Sequence, residues 1–453
     1  MAQTATPRKA VSNWQTWRDQ ARDWLNETKI AGRSVMWYLT GWRFGLIALA
    51  ATILLPLIPY LIGVTTYQSI QGFLVAMTSV WVYVMLALGL NVVVGYAGLL
   101  DLGYVAFFAI GSYVFAAGSS GFLHGWSSIN NHQDVFTTPT FPLIVLLPVG
   151  ALIAGVFGIL LGAPTLRLRG DYLAIVTLGF GEIVPIVFQN VPTFFGPLGI
   201  SAIAPLPVTI FGFTLTFTDP LNNAPFYFLA LTITVLITLG VMMLRDSSVG
   251  RAWIAIREDE TAAEASGVNL TRTKLLAFAM GAFVGGIGGV INTAFVPAIS
   301  SPIEAFNFQI SITVLVMIVL GGIGSVPGVI LGAIILRLID AYLIGYANNL
   351  LQGSSLIVPN DAPLHFLSNV DLNTLKFLIY GVVLVLMILL RPQGIIPDAR
   401  RRRELKGIGA APEDMSAVGI LEIEEAGIGM AAPEASDTTV YTGEGSDAQG
   451  REG

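Results

Sequence analysis

The sequence predicts an all-α integral membrane protein with about ten transmembrane helices in a tight, glycine-rich bundle. Of its 453 residues, 54% are hydrophobic and 11% are charged, whereas soluble domains contain about 25% charged residues. The apolar residues fall into ten stretches, most of them close to the roughly 20 residues that a helix needs to cross a bilayer. The basic residues also lie on one predicted side of the membrane. These observations exclude a set of soluble domains, which would need charged surfaces.

The ten apolar stretches are the predicted spans. The first is too long for the apolar core of a secretory signal and lacks a small-residue cleavage site, so we interpret it as a retained anchor. Two stretches, 102–119 and 308–322, are short enough for partial or broken helices. Spacings of three or four residues between glycines, as at Gly281, Gly285 and Gly289, favour close helix packing. The stretches comprise 44–63, 72–94, 102–119, 141–163, 171–190, 226–244, 274–296, 308–322, 326–345 and 374–390.

The distribution of lysine and arginine predicts the orientation. With residue 1 in the cytoplasm, the four main outer loops contain no lysine or arginine, and the inner segments contain 20 of the chain's 23. This asymmetry is the one that cytoplasmic loops normally show. Both termini are therefore predicted to be cytoplasmic. The outer loops are 120–140, 191–225, 297–307 and 346–373, and the inner segments are 1–43, 164–170, 245–274 and 391–406.

The two ends differ in composition from the predicted membrane domain, 44–397. Residues 1–43 are basic and rich in aromatic side chains, which suits either a segment on the membrane surface or a partly disordered leader. The end of the chain, 398–453, begins with a basic cluster, Arg400 to Lys406, which is typical of an anchor on anionic lipid. From residue 407 it is acidic and poor in large apolar residues, which predicts disorder.

The inner loop 245–274 is unusually long for a connection between spans. Its middle, Trp253 to Ser266, lacks glycine and proline and carries small or apolar residues at helical spacing. Gly267 then provides a stop signal. We predict a short helix that is either a docking element for a soluble partner or a solvated loop of mixed charge.

Few charges lie at predicted membrane depth, where each costs a few kcal/mol or more and normally faces a cavity or another charge. Arg337 and Asp340 are one helical turn apart, so they either pair or line a translocation path. Glu182 either lines a path or caps a broken helix. Asp101 lies near the inner edge, at the start of the third stretch.

The residues give little support for an enzyme. The chain has no cysteine and no HExxH zinc motif, and no metal or cofactor is predicted. The glycine-rich run Gly321 to Gly328 lacks the Gly-Lys-Ser/Thr of a phosphate loop, so it is interpreted as a tight turn, and ATP hydrolysis would occur on another chain. Ser119 and Ser120 between Gly118 and Gly121, with His124, resemble a membrane serine-protease pattern, but an outer loop explains them better. The basic cluster lacks the folded reader that nucleic-acid binding requires.

Several long segments resemble the integral-membrane permeases of branched-chain amino acid ABC importers (LivM type). The resemblance covers about 72–397, in the order of the family. The sequence departs from the general importer motif for contact with an ATP-binding subunit, which is EAA, three residues, then Gly, followed later by I-x-L-P. Glu260, Ala262, Ala263 and Gly267 are one residue out of register with this motif, and I-x-L-P is missing. The segments that carry the resemblance are Gly89 to Tyr113, Leu166 to Val184, Gly250 to Asn269, Val319 to Ala333 and Arg391 to Pro397.

The resemblance implies a permease in the cytoplasmic (inner) membrane of a prokaryote, working by alternating access on branched-chain or related neutral amino acids. It implies a second permease subunit, two cytoplasmic ATP-binding subunits and an extracytoplasmic substrate-binding protein as partners. The loop 245–274 would then be the coupling segment that an ATP-binding subunit receives. The alternatives are a related importer for urea or short amides and a secondary transporter. The implied coupling residues are Arg257, Glu258, Asp259, Glu260, Glu264 and Gly267.

Overall fold

A computed structural model represents the protein, and the description below covers only part of the chain. Most of the amino-terminal segment, most of the first apolar stretch and the whole acidic tail lie outside the described residues, so the predictions for them stay predictions. The described residues are 29–30, 33–34, 52, 67–119, 142–165, 171–190, 200, 207–210, 213–216, 224–296, 298–299, 301–344, 372–391 and 394–396.

Helices dominate the described residues. Two of them, α1 and α11, continue into wider π-helical turns, Asn91–Tyr96 and Ile339–Ile344 respectively. The α-helices are α1 (Tyr67–Leu90), α2 (Val105–Ser119), α3 (Leu143–Thr165), α4 (Asp171–Asn190), α5 (Ala224–Asp246), α6 (Ser248–Glu258), α7 (Glu260–Ala265), α8 (Leu270–Phe295), α9 (Pro302–Ala305), α10 (Phe308–Gly321), α11 (Val326–Leu338) and α12 (Leu372–Leu390).

Within the part of the chain that the structure describes, six helical segments are long and apolar enough to cross a membrane, and two shorter apolar helices accompany them. The shorter pair is Val105–Ser119 and Lys376–Leu390. This establishes a helical protein with several candidate spans, whereas the count of ten stays a prediction. The six are Gly72–Tyr96, Leu143–Thr165, Tyr172–Asn190, Ala224–Asp246, Leu270–Phe295 and Pro302–Gly321.

Two short antiparallel hairpins depart from the all-α prediction. Strands β1 (Lys29–Ile30) and β2 (Arg33–Ser34) form one, and β3 (Pro207–Ile210) and β4 (Phe213–Thr216) form the other. The strands of the second hairpin are rich in β-branched residues, which favour extended structure, and Ile210 pairs with Phe213 at its end. It lies in a connection that the sequence analysis treated only as an outer loop.

Helix α8 lies at the centre of the bundle and contacts α1, α2 and α3. Where α2 crosses α8, the backbones almost touch. A Cβ atom on Gly111 would lie 2.2 Å from the carbonyl oxygen of Gly286, and one on Gly289 would lie 2.2 Å from that of Phe108. Only glycine permits this approach, because any side chain would force the helices apart.

Hydroxyl groups also join distant parts of the sequence within the bundle. The Tyr104 hydroxyl donates to the carbonyl oxygen of Gly281, 3.1 Å away and 177 residues later in the chain. The Ser112 hydroxyl reaches the Gly289 carbonyl oxygen at 3.2 Å, across the same helix pair. Buried hydroxyl groups need such partners, because water is excluded around them.

Candidate functional site

The coupling segment, which is the part of the predicted loop 245–274 that lies between α5 and α8, folds as two short helices and not as the single helix that the sequence predicted. The first, α6, begins at Ser248, five residues before the predicted start, and Asp259 separates it from α7. Asp259 adopts an extended conformation, and its side chain accepts hydrogen bonds from the backbone N–H groups of Thr261 and Ala262. An aspartate that can cap a new helix therefore ends the previous one, without glycine or proline.

The coupling segment is fixed to the bundle by side chains from its inner face. Trp253 is completely buried, and its Nε1 donates to the Thr273 carbonyl oxygen at 2.7 Å. The Lys274 ammonium lies 2.7 Å from the Glu260 carboxylate, and the Lys274 side chain is only 8% exposed. Burial of so large an indole and of a paired lysine makes the segment a firmly seated unit.

The opposite face of the coupling segment is open and acidic. Glu258, Asp259 and Glu264 are all exposed. The segment ends at Gly267, whose φ of +87° is the left-handed conformation that glycine adopts readily. The N–H of Val268 bonds to the Ala263 carbonyl oxygen, and that of Gly267 bonds to Glu264, which completes a Schellman turn. The structure thus ends the segment at the glycine that the sequence predicted as a stop signal.

Two of the predicted coupling residues contact the bundle. Glu260 pairs with Lys274, as described above. The guanidinium of Arg257 donates a hydrogen bond to the carbonyl oxygen of Gly95, in the π-helical turn at the end of α1. Both side chains therefore link the coupling segment to transmembrane helices, where the sequence analysis expected them to meet an ATP-binding subunit.

The glycine-rich turn between α10 and α11 lies beside this contact. Asn91, buried in the π-helical turn of α1, accepts a hydrogen bond from the Gly324 N–H at 2.9 Å. The end of the described chain closes the same turn, since the N–H groups of Ile395 and Ile396 bond to the carbonyl oxygens of Leu320 and Gly321. The run Gly321 to Gly328 thus contains a turn between α10 and α11, as the sequence predicted.

Three residues that hold the site together were not predicted from the sequence, namely Asn91, Trp253 and Lys274. A polar or basic side chain inside a predicted apolar stretch was the available signal for Asn91 and Lys274. No local pattern marks Trp253, because which face of helix α6 is buried depends on the bundle that packs against it.

Of the charged residues predicted at membrane depth, Arg337 and Asp340 lie together and Glu182 lies apart from them. Arg337 and Asp340 form an ion pair, and Arg337 also donates to the Ser79 hydroxyl at 3.0 Å and stacks on the Tyr83 ring. Lys376 lies 3.6 Å from Asp340. These contacts join α11 to α1 and α12. The structure does not bring Glu182 to this group: it lies on the exposed face of α4.

Asp101 lies in the loop between the π-helical turn of α1 and α2, outside the helices, and is 2% exposed. One carboxylate oxygen accepts a hydrogen bond from the Gly103 N–H at 2.9 Å, and the other has no partner within the described residues. It borders a small cavity with Thr177, Phe180 and Phe278, in which no other described lining residue is ionisable. Burial raises the pKa of Asp101 to about 7.

The raised pKa predicts that Asp101→Asn will flatten the dependence of stability on pH. The native carboxyl holds its proton up to about pH 7, whereas the unfolded one loses it near 3.8. The wild-type free energy of unfolding should therefore fall as pH rises from 4 to 7, by about 1.4 kcal/mol per pH unit. Asparagine keeps an acceptor for Gly103 and does not ionise. Thermal unfolding in detergent at pH 5 and 8 measures this, and parallel profiles for the two proteins would contradict it.

Among the described residues, no group of histidine, cysteine, aspartate and glutamate side chains is arranged to hold a metal ion. The charged chemistry of the described part is instead that of ion pairs and helix caps.

Comparisons with known proteins show which sequences the chain is similar to. The sequence model of one family, described as branched-chain amino acid transport system / permease component, matches residues 72–388. The high-affinity branched-chain amino acid transport system permease protein LivM of Escherichia coli (strain K12) is 38% identical over 354 residues, 74% of this chain and 72% of the relative. Its namesake in Salmonella typhimurium is 38% identical over 73% of this chain and 71% of the relative.

A more distant relative shows how far the similarity extends. The probable branched-chain amino acid transport permease protein LivM of Methanocaldococcus jannaschii is 26% identical over 348 residues, 72% of this chain and 94% of the relative. No solved structure matches the chain. The amino-terminal segment and the acidic tail lie outside the matched family region.

Proposed function

Because the chain belongs to the branched-chain amino acid transport permease family, we propose that it is the permease subunit of an ATP-binding-cassette importer. Its substrates would be branched-chain or related neutral amino acids, as the names of its relatives suggest. Its partners would be a second permease subunit, two ATP-binding subunits and an extracytoplasmic substrate-binding protein.

The observation that carries this proposal is the coupling segment, which has one face buried in the bundle and one face open. A segment that must transmit force needs a firm attachment on one side, and Trp253 and Lys274 provide it. It also needs a free surface for its partner, and Glu258 and Glu264 lie on such a surface. Exposed charges of this kind set orientation and encounter rate at an interface.

In the proposed mechanism, ATP binding and hydrolysis on the partner subunits move the coupling segment. The bundle then alternates between states that open to opposite sides of the membrane. This chain supplies the path and the transmission, while the hydrolysis takes place on chains that carry a phosphate loop. It is therefore proposed not to be an enzyme itself.

Glu182 is the stronger of the candidates for a translocation path. Its carboxylate lies near the middle of α4, on a face where Ile183 and Ile186 are also exposed. Contact of a charge with lipid at that depth would cost a few kcal/mol or more. We therefore place this face against the second permease subunit or the path between the two. Arg337 and Asp340, by contrast, form an ion pair with each other at the end of α11.

The proposed setting is the cytoplasmic membrane, with ten spans and both termini in the cytoplasm. The absence of basic residues from the four outer loops supports this topology. Since the chain has no cysteine, single cysteines at Ser128 and Ser266 can be labelled separately from the two sides. Reaction of the Ser266 site with an impermeant reagent added outside intact cells would overturn the topology.

Reversing two charges on the open face tests the proposed docking. With Glu258→Lys and Glu264→Lys combined, we expect capture of the ATP-binding subunits by the tagged permease to fall at least tenfold, which corresponds to about 1.4 kcal/mol or more. The amount of permease in the membrane should not change, because the substituted side chains are exposed.

The matched control for this experiment is Glu304→Lys, the same charge reversal at an exposed residue of α9, outside the coupling segment. Capture of the ATP-binding subunits by this variant should equal that of the wild type. Equal capture by the double variant as well would argue that the acidic face is a solvated surface without a partner.

A further inference from the structure

Arg257 occupies a notch lined by three glycine residues from two distant parts of the chain. Its guanidinium donates to the carbonyl oxygen of Gly95. A Cβ atom on Gly98 would lie 2.8 Å from Arg257 Cγ, and one on Gly324 would lie 3.2 Å from Arg257 Nη1. The arginine side chain therefore lies flat against the backbone. We call Gly95, Gly98 and Gly324 the glycine notch.

The backbone of the notch is shaped for this contact. Gly98 and Gly324 have φ values of +70° and +86°, a region that other residues rarely adopt. Gly95 lies in the last turn of the α1 helix, where backbone carbonyl groups lack partners within the helix and carry partial negative charge. A guanidinium is well suited to such a site, since it offers several donors and a delocalised positive charge.

The notch is also the point where two membrane elements are joined. The Asn91 side chain, from the same π-helical turn as Gly95, accepts the Gly324 N–H at 2.9 Å. A Cβ atom on Gly95 would lie 2.1 Å from that Asn91 oxygen. Displacement of the Gly95 carbonyl must therefore disturb the α10–α11 turn as well as the end of α1.

The coupling segment has other attachments, but these lead elsewhere in the bundle. Trp253 bonds to the backbone of Thr273, and Glu260 pairs with Lys274, so both act on α8. The chain itself continues from the segment into α5 and α8. Of these described contacts, the Arg257 contact is the one that reaches α1 and the α10–α11 turn.

We propose that Arg257 is a positioning residue that transmits movement of the coupling segment, through the glycine notch, to α1 and the α10–α11 turn. This inference rests on the proposed function and assigns Arg257 a role inside the permease, distinct from contact with the ATP-binding subunit. Because α5 and α8 both pack against α1, the chain continuations reach α1 only through whole helices, and the Trp253 and Glu260 contacts give the segment no direct connection to the α10–α11 turn. The Arg257 contact supplies that connection.

The test compares Arg257→Ala and Arg257→Lys in the assembled, reconstituted importer. For the alanine variant we expect normal capture of the ATP-binding subunits and continued ATP hydrolysis, with at least a tenfold fall in amino acid transported per ATP hydrolysed. Lysine keeps the charge and one donor, so it should restore part of that ratio. A merely structural role would lower hydrolysis and transport together, in proportion to the folded protein.

A second readout measures the connection without reference to the substrate. Spin labels on Leu100→Cys and Ala262→Cys, both at exposed positions on either side of the notch, report the distance between the notch loop and the coupling segment. In the wild-type background this distance should stay the same with and without nucleotide. In the Arg257→Ala background it should change when nucleotide binds.

The outcomes separate the two proposals. An Arg257→Ala importer with the wild-type transport ratio and an unchanged label distance would overturn the role of Arg257, as would loss of capture of the ATP-binding subunits. If the wild-type complex itself transports no branched-chain or neutral amino acid, the proposed function fails, whereas the label distances still decide whether Arg257 holds the segment to the notch.

Discussion

Gly289→Ala is expected to prevent normal packing of the bundle, although it adds only one methyl group. The new Cβ atom would lie 2.2 Å from the carbonyl oxygen of Phe108 and 2.7 Å from the N–H nitrogen of Ser112. Both are backbone atoms of α2, so no side chain can rotate away, and the two helices must separate. Overpacking of this kind typically costs 1–3 kcal/mol and occasionally more. We expect a large loss of folded, monodisperse protein after extraction, measured by gel filtration and thermal unfolding.

The matched control is Gly240→Ala in α5, where no atom lies within 4 Å of the added Cβ. Alanine forms helices better than glycine by about 1 kcal/mol, so this variant should be as stable as the wild type or slightly more stable. Equal yields and unfolding temperatures for the two variants would show that α2 and α8 do not approach as closely as the structure indicates.

Trp253→Ala is expected to release the coupling segment while the bundle stays in the membrane. The indole is fully buried and its N–H bonds to Thr273, and removal of a buried tryptophan side chain usually costs 3–5 kcal/mol. The remaining attachments include the Glu260–Lys274 ion pair, the Arg257 contact and the small buried area of Ile256 and Ala263, so the segment should open locally before the helices unfold. Trypsin should then cut at Arg251 and Arg257, and ATP-driven uptake should fall at least tenfold.

Trp253→Phe provides the graded comparison, since it keeps an aromatic ring in the site and loses the donor to Thr273. The lost hydrogen bond should cost about 0.5–1.5 kcal/mol net, because the Thr273 carbonyl oxygen is only partly buried. Cleavage of this variant should be intermediate. Resistance of the alanine variant to trypsin, equal to that of the wild type, would show that other contacts hold the segment.

The membrane helices are the part of the fold that the sequence predicts best, because apolar length is a local property. The stretches 141–163 and 171–190, for example, predict helices that the structure gives as Leu143–Thr165 and Asp171–Asn190. The break at Asp259 was missed, since a capping aspartate competes with helix continuation only by a small energy difference. The number of spans stays a prediction.

The candidate site was predicted only at the level of its position in the chain. Arg257 and Glu260 were assigned to a partner interface, yet their side chains meet residues of the bundle, and for Arg257 the partner is 162 residues away in the sequence. No periodicity within 245–274 carries that information. The Arg337 and Asp340 pair was foreseen as one of two alternatives because its spacing of three residues is itself local.

The long-range hydroxyl contact of Tyr104 has a consequence for how the protein is made. Its acceptor, Gly281, is 177 residues further along the chain. At a synthesis rate of about 5–20 residues per second, roughly 10–35 s pass between the two residues leaving the ribosome. During that interval α2 can pack against α3 but lacks α8, so the Tyr104 hydroxyl and Gly111 are without their native partners on α8. The newly made amino-terminal half is thus an incomplete unit that a membrane chaperone or insertase can hold until Leu270–Phe295 arrives.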